Sequence, residues 1–398
     1  MRKASPTAKI YNSRRVSVLI LLVGWAGCGE TPVSEESPAE PAIEATESTV
    51  EPIEESEPEV SNSAPVSPDD EAEDERVQDS FLGQSDAARI DSLRQAQIAE
   101  VERGRGGRSL AFKVTLDDGT QGYFKPEQSF SGAHWYAELA AYYLDRTLKF
   151  GRTPPSIGRQ FEWSSLRRAA GTDGRVSEVR VQPDGTVRGA FIWWMPERLV
   201  PLSTERGWES WVRVNGGIDL TPFQRPAEYR ADIRRRNEGQ APERVNSRPD
   251  PDTRARPAEL SDMILFDYLT SNVDRWGGDN TNIRTYGAGG PLVYLDNGAG
   301  FWPNAQVSLM ETRLRMVQRF RRSTIDAVRD FNIDDFRARL SSDPMAPILD
   351  ENLIQGVVER VQRVIAHAER MQERFGERIW FDEANQDSET VTELPVEP

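Results

Sequence analysis

Two aspartates stand one β-hairpin apart in the segment 272–302, which reads NVDRWGGDNTNIRTYGAGGPLVYLDNGAGFW. Asp274 comes at the end of an apolar stretch that predicts a buried helix over 259–273. A helix end is a rigid support, so the Asp274 carboxylate is a candidate proton acceptor for a substrate hydroxyl. Asp296 follows an apolar strand and precedes an Asn-Gly pair, where a tight turn can direct a carboxylate at a metal ion. The alternative for Asp296, from composition alone, is a simple turn-forming role.

A lysine and a glutamate form a second candidate pair. Lys125 ends the second strand of a hairpin that alternating residues predict around the turn 117–120. Glu138 lies on an amphipathic helix predicted over 134–150, where small neighbours would let the helix approach a sheet closely. A strand lysine paired with a helix glutamate holds the phosphates of ATP in kinases. Taken alone, each of the two is more often a solvated surface charge.

Other catalytic chemistry has little support in the sequence. His134 and His367 are the only histidines, and neither has a metal-binding partner nearby, so neither a zinc site nor a Ser-His-Asp triad is predicted. Gly104, Gly106 and Gly107 precede the first predicted strand and are a weak signal for a phosphate-binding loop. The arginines between them could contact phosphate or simply be solvated.

Charge divides the chain unevenly. The 398 residues have a formal net charge of −16, but residues 29–80 alone hold 18 acidic residues and one arginine. Residues 81–398 are close to balanced, with 43 basic and 47 acidic side chains. The segment 29–80 is rich in Glu, Ser and Pro and poor in aromatic residues, which predicts a disordered tether. Nothing in this distribution indicates a nucleic-acid partner.

The start of the chain resembles a bacterial lipoprotein signal. A basic stretch precedes about a dozen mostly apolar residues, 16–27, which are too few to span a bilayer. They end in small residues before Cys28, the single cysteine, which such a signal would expose for lipid attachment at the end of a signal peptide over 1–28. Trp25 departs from the usual aliphatic residue, and an ordinary signal peptide or short anchor is the alternative. Gly29 in place of aspartate favours the outer membrane. We therefore expect a lipid-anchored, extracytoplasmic protein of the cell envelope, at the outer membrane or cell surface.

The remaining elements give an α+β pattern. Strands dominate the first part of the folded region and helices the last part, which predicts a small β-rich lobe followed by a larger helical lobe. The predicted elements are a helix over 85–103 with Ser85 as its N-cap, a second hairpin around 183–185, an irregular Arg- and Pro-rich insertion over 205–258, helices near 306–330 and 351–377, and an acidic tail over 381–398.

Four ordered stretches carry a family resemblance. They are GYFKP, AELAAYYLDRTLKFGRTPPSIGR, ILFDYLTSNVDR and YLDNGAGF. In these stretches the sequence resembles the secretory-pathway kinases that include the Golgi casein kinase, the proteoglycan xylose kinase and Four-jointed. The resemblance implies an atypical two-lobed, protein-kinase-like fold over 81–380, with an N-lobe over about 81–200 and a C-lobe over about 259–380.

The resemblance also implies roles for individual residues. Lys125 would hold the ATP phosphates, with Glu138 positioning it or reaching the metal. Asp274 would be the catalytic aspartate and Asp296 the aspartate that binds Mg²⁺ or Mn²⁺. The backbone from Trp194 to Glu197 would be the hinge that receives adenine.

Two positions depart from the family pattern. Trp276 stands where the casein kinase branch has histidine after Asp-Arg, which leaves open how the catalytic loop is braced. The second metal ligand is also open: Asn282, directly before an apolar residue and a strand, is preferred, and Asn280 and Asp279 are the alternatives.

Three functions remain to be separated. The first is a membrane-tethered kinase that transfers phosphate from ATP to a hydroxyl of a protein or glycan acceptor. The second is a non-catalytic pseudokinase that binds a nucleotide, a glycan or a protein, a reading favoured by the unusual loop after Asp274 and by the scarcity of ATP outside a bacterial cytoplasm. The third is a surface adhesin on an acidic stalk, which gives no reason for the ordered motifs.

Overall fold

The computed structural model describes part of the chain. The described residues are 79–130, 132–202, 208–214, 218–219, 234–235, 237–240, 244–245, 255–276, 282–302 and 307–381. Cys28, Asp279 and Asn280 lie outside them, as do the signal segment, nearly all of the predicted tether and the tail beyond residue 381.

An antiparallel five-stranded sheet forms the first part of the fold. A short ribbon of β1 and β2 and the helix α1 precede it. Its strand order is β3-β4-β5-β7-β6, and helix α3 follows β6. The elements are β1 (Ser80–Phe81), β2 (Gln84–Ser85), α1 (Ala87–Gln95), β3 (Ile98–Arg103), β4 (Phe112–Leu116), β5 (Gln121–Pro126), α2 (Trp135–Thr147), β6 (Ser156–Glu162), α3 (Trp163–Ala170) and β7 (Thr186–Trp193).

The two faces of this sheet have different partners. Phe112, Phe124 and Phe191 point to one face, where they form a buried cluster with residues of α1 and α3. Because side chains alternate along a strand, Lys125 and its cross-strand partner Ala190 point to the opposite face. Ala190 belongs to the buried cluster that α2 shares with the C-terminal helices, so Lys125 lies on the face of the sheet that α2 covers.

Helices dominate the second part. A three-stranded antiparallel sheet, β12-β11-β8, joins residues from both parts of the chain. The elements are β8 (Leu199–Pro201), β9 (Ile218–Asp219), β10 (Arg244–Val245), α4 (Ala255–Thr270), β11 (Arg284–Tyr286), β12 (Leu292–Val293), α5 (Val307–Met316), α6 (Arg322–Arg329), α7 (Ile333–Ser342) and α8 (Glu351–Phe375). The predicted α+β arrangement is therefore confirmed. In the described part of the chain, no helix combines the length and the apolar character that a bilayer span requires.

Three predicted elements differ in the structure. The helix predicted over 85–103 ends at Gln95, and its N-cap is Asp86 rather than Ser85. Residues 98–103 are instead the strand β3, because pairing with β4 satisfies their backbone groups along the sheet edge. The turn predicted around 183–185 forms and is closed by a hydrogen bond of 2.8 Å from the Gln182 amide to the Thr186 carbonyl, but the rest of β7 pairs with β5 and β6. The helix predicted near 306–330 is two helices, α5 and α6.

Candidate active site

Lys125 joins two carboxylates from distant parts of the chain. Its Nζ lies 2.5 Å from Glu138 Oε1 on α2 and 2.7 Å from Asp296 Oδ1, which follows β12. Burial alone would lower the pKa of Lys125, but the charges of Asp296 and Glu138 outweigh burial and raise that pKa above its ordinary value. Lys125 therefore stays protonated and keeps a fixed positive charge at this point of the sheet.

Glu138 binds the backbone of the turn that carries Asp296. The Glu138 side chain is 3% exposed, and its Oε2 accepts a hydrogen bond of 3.0 Å from the Asn297 amide. Its Oε1 accepts one of 2.9 Å from the Gly298 amide in addition to the contact with Lys125. One carboxylate thus orients the lysine and fixes the Asp-Asn-Gly turn, which explains why it is tolerated in a buried position.

Asp296 has a backbone conformation that non-glycine residues seldom adopt. Its φ is +55°, while its side chain is half exposed beside Lys125. The charge of Lys125 lowers the pKa of Asp296 below its ordinary value, against the opposing effect of burial. Such backbone strain is tolerated where the surrounding structure fixes it, and here Glu138 fixes the two amides that follow. The predicted turn at Asp296 is real, and it carries an ionised carboxylate.

Asn272 links Asp296 to Asp274. Its Oδ1 accepts a hydrogen bond of 3.2 Å from the Asp274 amide, and its Nδ2 donates one of 3.3 Å to the Asp296 carbonyl. The pKa of the Asp274 carboxyl is raised, first by burial and then by the negative charge of Asp296. The two aspartates are thus neighbours in one cleft, and Asp274 is a stronger base than an ordinary aspartate.

Comparison with known proteins gives these residues a context. The family model described as Golgi casein kinase, C-terminal, Fam20, matches residues 210–378. The human extracellular serine/threonine protein kinase FAM20C is 23% identical over 335 residues, which cover 73% of this chain and 54% of the human protein. A glycosaminoglycan xylosylkinase of Danio rerio is 24% identical over 247 residues, or 54% of this chain and 56% of that protein. The chain therefore spans about half the length of these two curated relatives.

Comparison of the fold with solved structures agrees with the sequence comparison. The crystal structure of the Golgi casein kinase with Mn/ADP bound matches with a TM-score of 0.53 at 19% identity, over 74% of this chain and 78% of that chain. This chain resembles the Fam20 secretory kinases in sequence and in fold. The two-lobed, kinase-like architecture that the four sequence stretches implied is thereby confirmed.

The carboxylates around Lys125 and Asn272 fit a hard divalent cation. Asp296, Glu138 and Asp274 supply carboxylate oxygens, which Mg²⁺ and Mn²⁺ prefer. Within the described ranges, no three His, Cys, Asp or Glu side chains form a ready-made metal site. This agrees with how Mg²⁺ is usually held, by one or two carboxylates together with substrate phosphates and water. Asp296 is the best placed of the three for this role, because it is ionised and half exposed.

The predicted second ligand is not brought to Asp296 by a direct contact. Asn282 lies half buried just before β11, and in the described part of the chain it has no hydrogen bond to Asp274 or Asp296. Its assignment as a metal ligand therefore stays a prediction. The alternatives, Asn280 and Asp279, lie outside the described residues.

The predicted hinge follows β7 directly. The Trp194 amide donates a hydrogen bond of 2.9 Å to the Gln121 carbonyl, and the Trp194 side chain is 41% exposed. Its ring lies 5.9 Å from that of Tyr123, and Lys113 Nζ is 5.1 Å from its centre. Glu197 is exposed in the link between β7 and β8. This link joins the two sheets, which is where a kinase hinge belongs, and adenine binding there stays a prediction.

The glycine-rich segment lies between β3 and β4 and not before the first strand, because residues 98–103 are themselves a strand. A Cβ at Gly104 would lie 2.9 Å from the Ala111 backbone carbonyl and 2.6 Å from the Tyr123 hydroxyl, and the fixed carbonyl makes glycine the residue that fits here. Arg175 holds the segment from outside, since its Nη1 donates to the carbonyls of Gly107 and Ser109 at 3.0 Å each. Gly104 thus lies beside Tyr123, which is two residues before Lys125 on β5 and points to the same face of the sheet, and phosphate binding by this loop stays a prediction.

Several residues that shape the site were missed by sequence reasoning. The sequence assigns no role to Asn272 and only a place in a turn to Asn297, yet their side chains hold the site together. The apolar pattern over 259–273 gives Asp267 no role of its own, yet it is buried and binds the two residues that follow Asp274. An acidic residue in the middle of an otherwise apolar helix was the available signal, because buried charges need partners.

Proposed function

We propose that this chain is a metal-dependent kinase that transfers the γ-phosphoryl group of ATP to a hydroxyl of a protein or glycan acceptor. The observation that carries the proposal is the convergence of four side chains from separate elements. Lys125 on β5 contacts both Glu138 on α2 and Asp296 after β12, while Asp274 after α4 is close enough to Asp296 to feel its charge. These are the parts that phosphoryl transfer requires.

Each residue has a distinct part in this mechanism. Lys125, oriented by Glu138, binds phosphate oxygens of the donor and offsets their negative charge. Asp274 accepts a hydrogen bond from the acceptor hydroxyl, orients it for in-line attack and takes its proton as the new O–P bond forms, while the bond from the γ-phosphorus to the bridging oxygen breaks and ADP leaves. Asp296 would hold Mg²⁺ or Mn²⁺, which neutralises charge on the phosphates when it is bound. The raised pKa of Asp274 makes it a better proton acceptor.

The chemistry of the relatives supports these substrates. One is named as an extracellular serine/threonine protein kinase, another as a glycosaminoglycan xylosylkinase, and the crystal structure of the Golgi casein kinase has Mn/ADP bound. All three names describe hydroxyl acceptors or a metal–nucleotide ligand. We therefore propose ATP as the phosphoryl donor of this chain, a divalent metal ion as its cofactor and a serine or sugar hydroxyl as its acceptor.

Transfer of labelled phosphate tests this function. The full chain is incubated with γ-labelled ATP, Mn²⁺ or Mg²⁺, and two acceptors in parallel: dephosphorylated casein and a xylose-containing glycoside. We expect label on one of them, dependent on the metal, with at least a hundredfold loss in Asp274→Asn. ATP binding without transfer to any hydroxyl acceptor would favour the pseudokinase alternative.

We also propose that Cys28 anchors the protein to a membrane of the cell envelope. The support is the sequence alone: a basic stretch, an apolar run of signal-peptide length and a single cysteine at its end. In bacteria fed a labelled fatty acid, the wild-type chain should carry the label and partition into detergent. The Cys28→Ser variant should do neither. Labelling that survives Cys28→Ser would contradict the proposal.

A further inference from the structure

Asp267 is a buried carboxylate that binds both residues following Asp274. It lies on α4 and is 1% exposed. Its two oxygens accept hydrogen bonds of 2.7 and 2.9 Å from Arg275 Nε, and its Oδ2 accepts a third, of 2.8 Å, from Trp276 Nε1. The single N–H of Arg275 Nε is shared between both oxygens, so two donors from consecutive residues fix this buried carboxylate, and the loop that carries Asp274 is tied to the helix before it.

The other end of Arg275 reaches the turn that carries Asp296. Its Nη1 donates to the Leu295 carbonyl, and its Nη2 donates to Asn297 Oδ1 at 2.6 Å. These two acceptors flank Asp296 on either side in the sequence. One guanidinium, itself fully buried and oriented by Asp267, therefore sets the spacing between the two aspartates of the site.

Trp276 contacts a residue of the insertion predicted over 205–258. Its ring stacks on that of Trp208, with centroids 5.2 Å apart and an angle of 19° between the planes. Trp208 begins a short 3-10 helix, Trp208–Val212, and both indoles are buried. The indole N–H of Trp276 thus binds Asp267 while its flat face receives a residue of the insertion.

We propose that Asp267 and Trp276 are positioning residues for Asp274, and that the Trp208–Trp276 stack makes this part of the insertion a support of the catalytic loop. Trp276 stands where the casein kinase branch has histidine. In this chain the loop is instead braced by the hydrogen bond from the Trp276 indole N–H to Asp267 and by the aromatic stack. This positioning role rests on the proposed kinase function, and one of its two tests does not need activity.

The kinetic test removes the N–H and keeps an aromatic ring. In Trp276→Phe, kcat for phosphate transfer should fall about tenfold or more, while the Kd for ATP with Mn²⁺ changes less than about twofold, because the lost hydrogen bond orients Asp274 rather than the nucleotide. Trp276→His, which restores an N–H donor, should recover part of kcat. Trp208→Leu, which removes the stacking partner of Trp276, should also lower kcat.

Trp380 provides the matched control. It is as deeply buried as Trp276, and its Nε1 has no hydrogen-bond partner in the described part of the structure. Trp380→Phe therefore makes the same change in volume without removing such a bond, and kcat should be unchanged. If Trp276→Phe left kcat at the wild-type value, or if Trp380→Phe lowered it equally, the positioning role would be wrong.

Hydrogen exchange tests the brace without any turnover. Backbone amides of residues 272–276 and 294–298 should exchange faster in Trp276→Phe than in the wild type, and Trp380→Phe should leave them unchanged. Unchanged exchange in Trp276→Phe would overturn the inference even in a protein that proved inactive. Faster exchange together with an inactive wild type would instead count against the proposed kinase function alone.

Discussion

At the scale of single residues, the site depends on one glutamate more than its sequence context indicates. Glu138 was predicted as the partner of Lys125, and it also accepts hydrogen bonds from the backbone amides of Asn297 and Gly298. A glutamine has one acceptor oxygen, so its NH₂ group must face one of these N–H donors. The same residue thus links the strand lysine to the conformation of the metal turn.

Glu138→Gln should therefore affect both stability and nucleotide binding. We expect the free energy of unfolding to fall by about 1–3 kcal/mol, because a buried donor loses its acceptor. The Kd for ATP with Mn²⁺ should rise as Lys125 loses its orienting charge. Urea denaturation and calorimetric titration measure the two effects.

Glu359 supplies a control for that substitution. Its side chain is 67% exposed and pairs with Arg363 on the same helix, α8. Glu359→Gln should therefore change the free energy of unfolding by no more than about 0.5 kcal/mol. Equal effects of the two substitutions would show that Glu138 has no special role in the turn.

At the scale of elements, the end of α2 is hydrogen-bonded to the segment just before β6. Asp145 is fully buried and accepts the amides of Arg152 and Thr153 at 3.0 and 3.1 Å. Arg146 pairs with Asp145 and donates to Asp86 at 2.6 Å and to the Thr153 carbonyl at 2.7 Å. The long stretch that carried the family resemblance is therefore partly a structural joint between helix and sheet.

Breaking this joint should unfold the protein more easily. Asp145→Ala leaves Arg146 with one fewer carboxylate and two backbone amides unpaired, which should lower the free energy of unfolding by about 3–5 kcal/mol. Asp326→Ala is the matched control: its carboxylate is 62% exposed beside Arg329 and should contribute less than about 1 kcal/mol. A loss below about 1 kcal/mol for Asp145→Ala in urea denaturation would contradict this account.

Sequence patterns predicted those elements whose local signals agree with their packing. The helix over 134–150 and the hairpin at 117–120 formed because apolar spacing, turn residues and burial all indicate the same structure. Residues 98–103 became a strand despite helical spacing, since the free edge of β4 decided their pairing. Lys125, Glu138 and Asp296 were found from their types and order, and the structure brings them into contact.

The supports of the site could not be found in the same way. Arg275 joins Asp267 to Asn297 across 30 residues of sequence, and such a contact depends on how α4 and β12 pack rather than on local spacing. The stack of Trp276 on Trp208 likewise depends on where the insertion folds back. Long-range polar contacts of this kind leave no periodic signal in one sequence.

At the scale of the whole molecule, a further buried carboxylate connects α4 to the start of α6. Asp262 on α4 accepts a hydrogen bond of 2.7 Å from the Thr324 hydroxyl and lies 3.3 Å from Arg321 Nε. Burial raises the pKa of Asp262 from 3.8 to about 6, against the opposing charge of Arg321. Folding therefore favours the protonated form of this side chain.

The stability contributed by Asp262 should depend on pH in a defined direction. Because the folded state binds its proton more tightly than the unfolded state, stability relative to Asp262→Asn should fall as pH rises from about 4 to about 6 and then stay constant. The difference between the two proteins should change by about 3 kcal/mol over that window. Urea denaturation at a series of pH values measures it, and a difference that stayed flat or grew with pH would contradict the assignment.

The central claim is that Lys125, Glu138, Asp274 and Asp296 form one metal–nucleotide site. The most direct measurement is the binding and hydrolysis of ATP by the full chain with Mn²⁺, beside Asp296→Asn and Asp274→Asn. We predict that Mn²⁺ and ATP together raise the melting temperature of the wild type, that Asp296→Asn abolishes this stabilisation, and that Asp274→Asn retains it but loses hydrolysis. A folded wild type that binds no ATP with Mn²⁺ or with Mg²⁺, or an Asp296→Asn variant that binds as well as the wild type, would contradict the account.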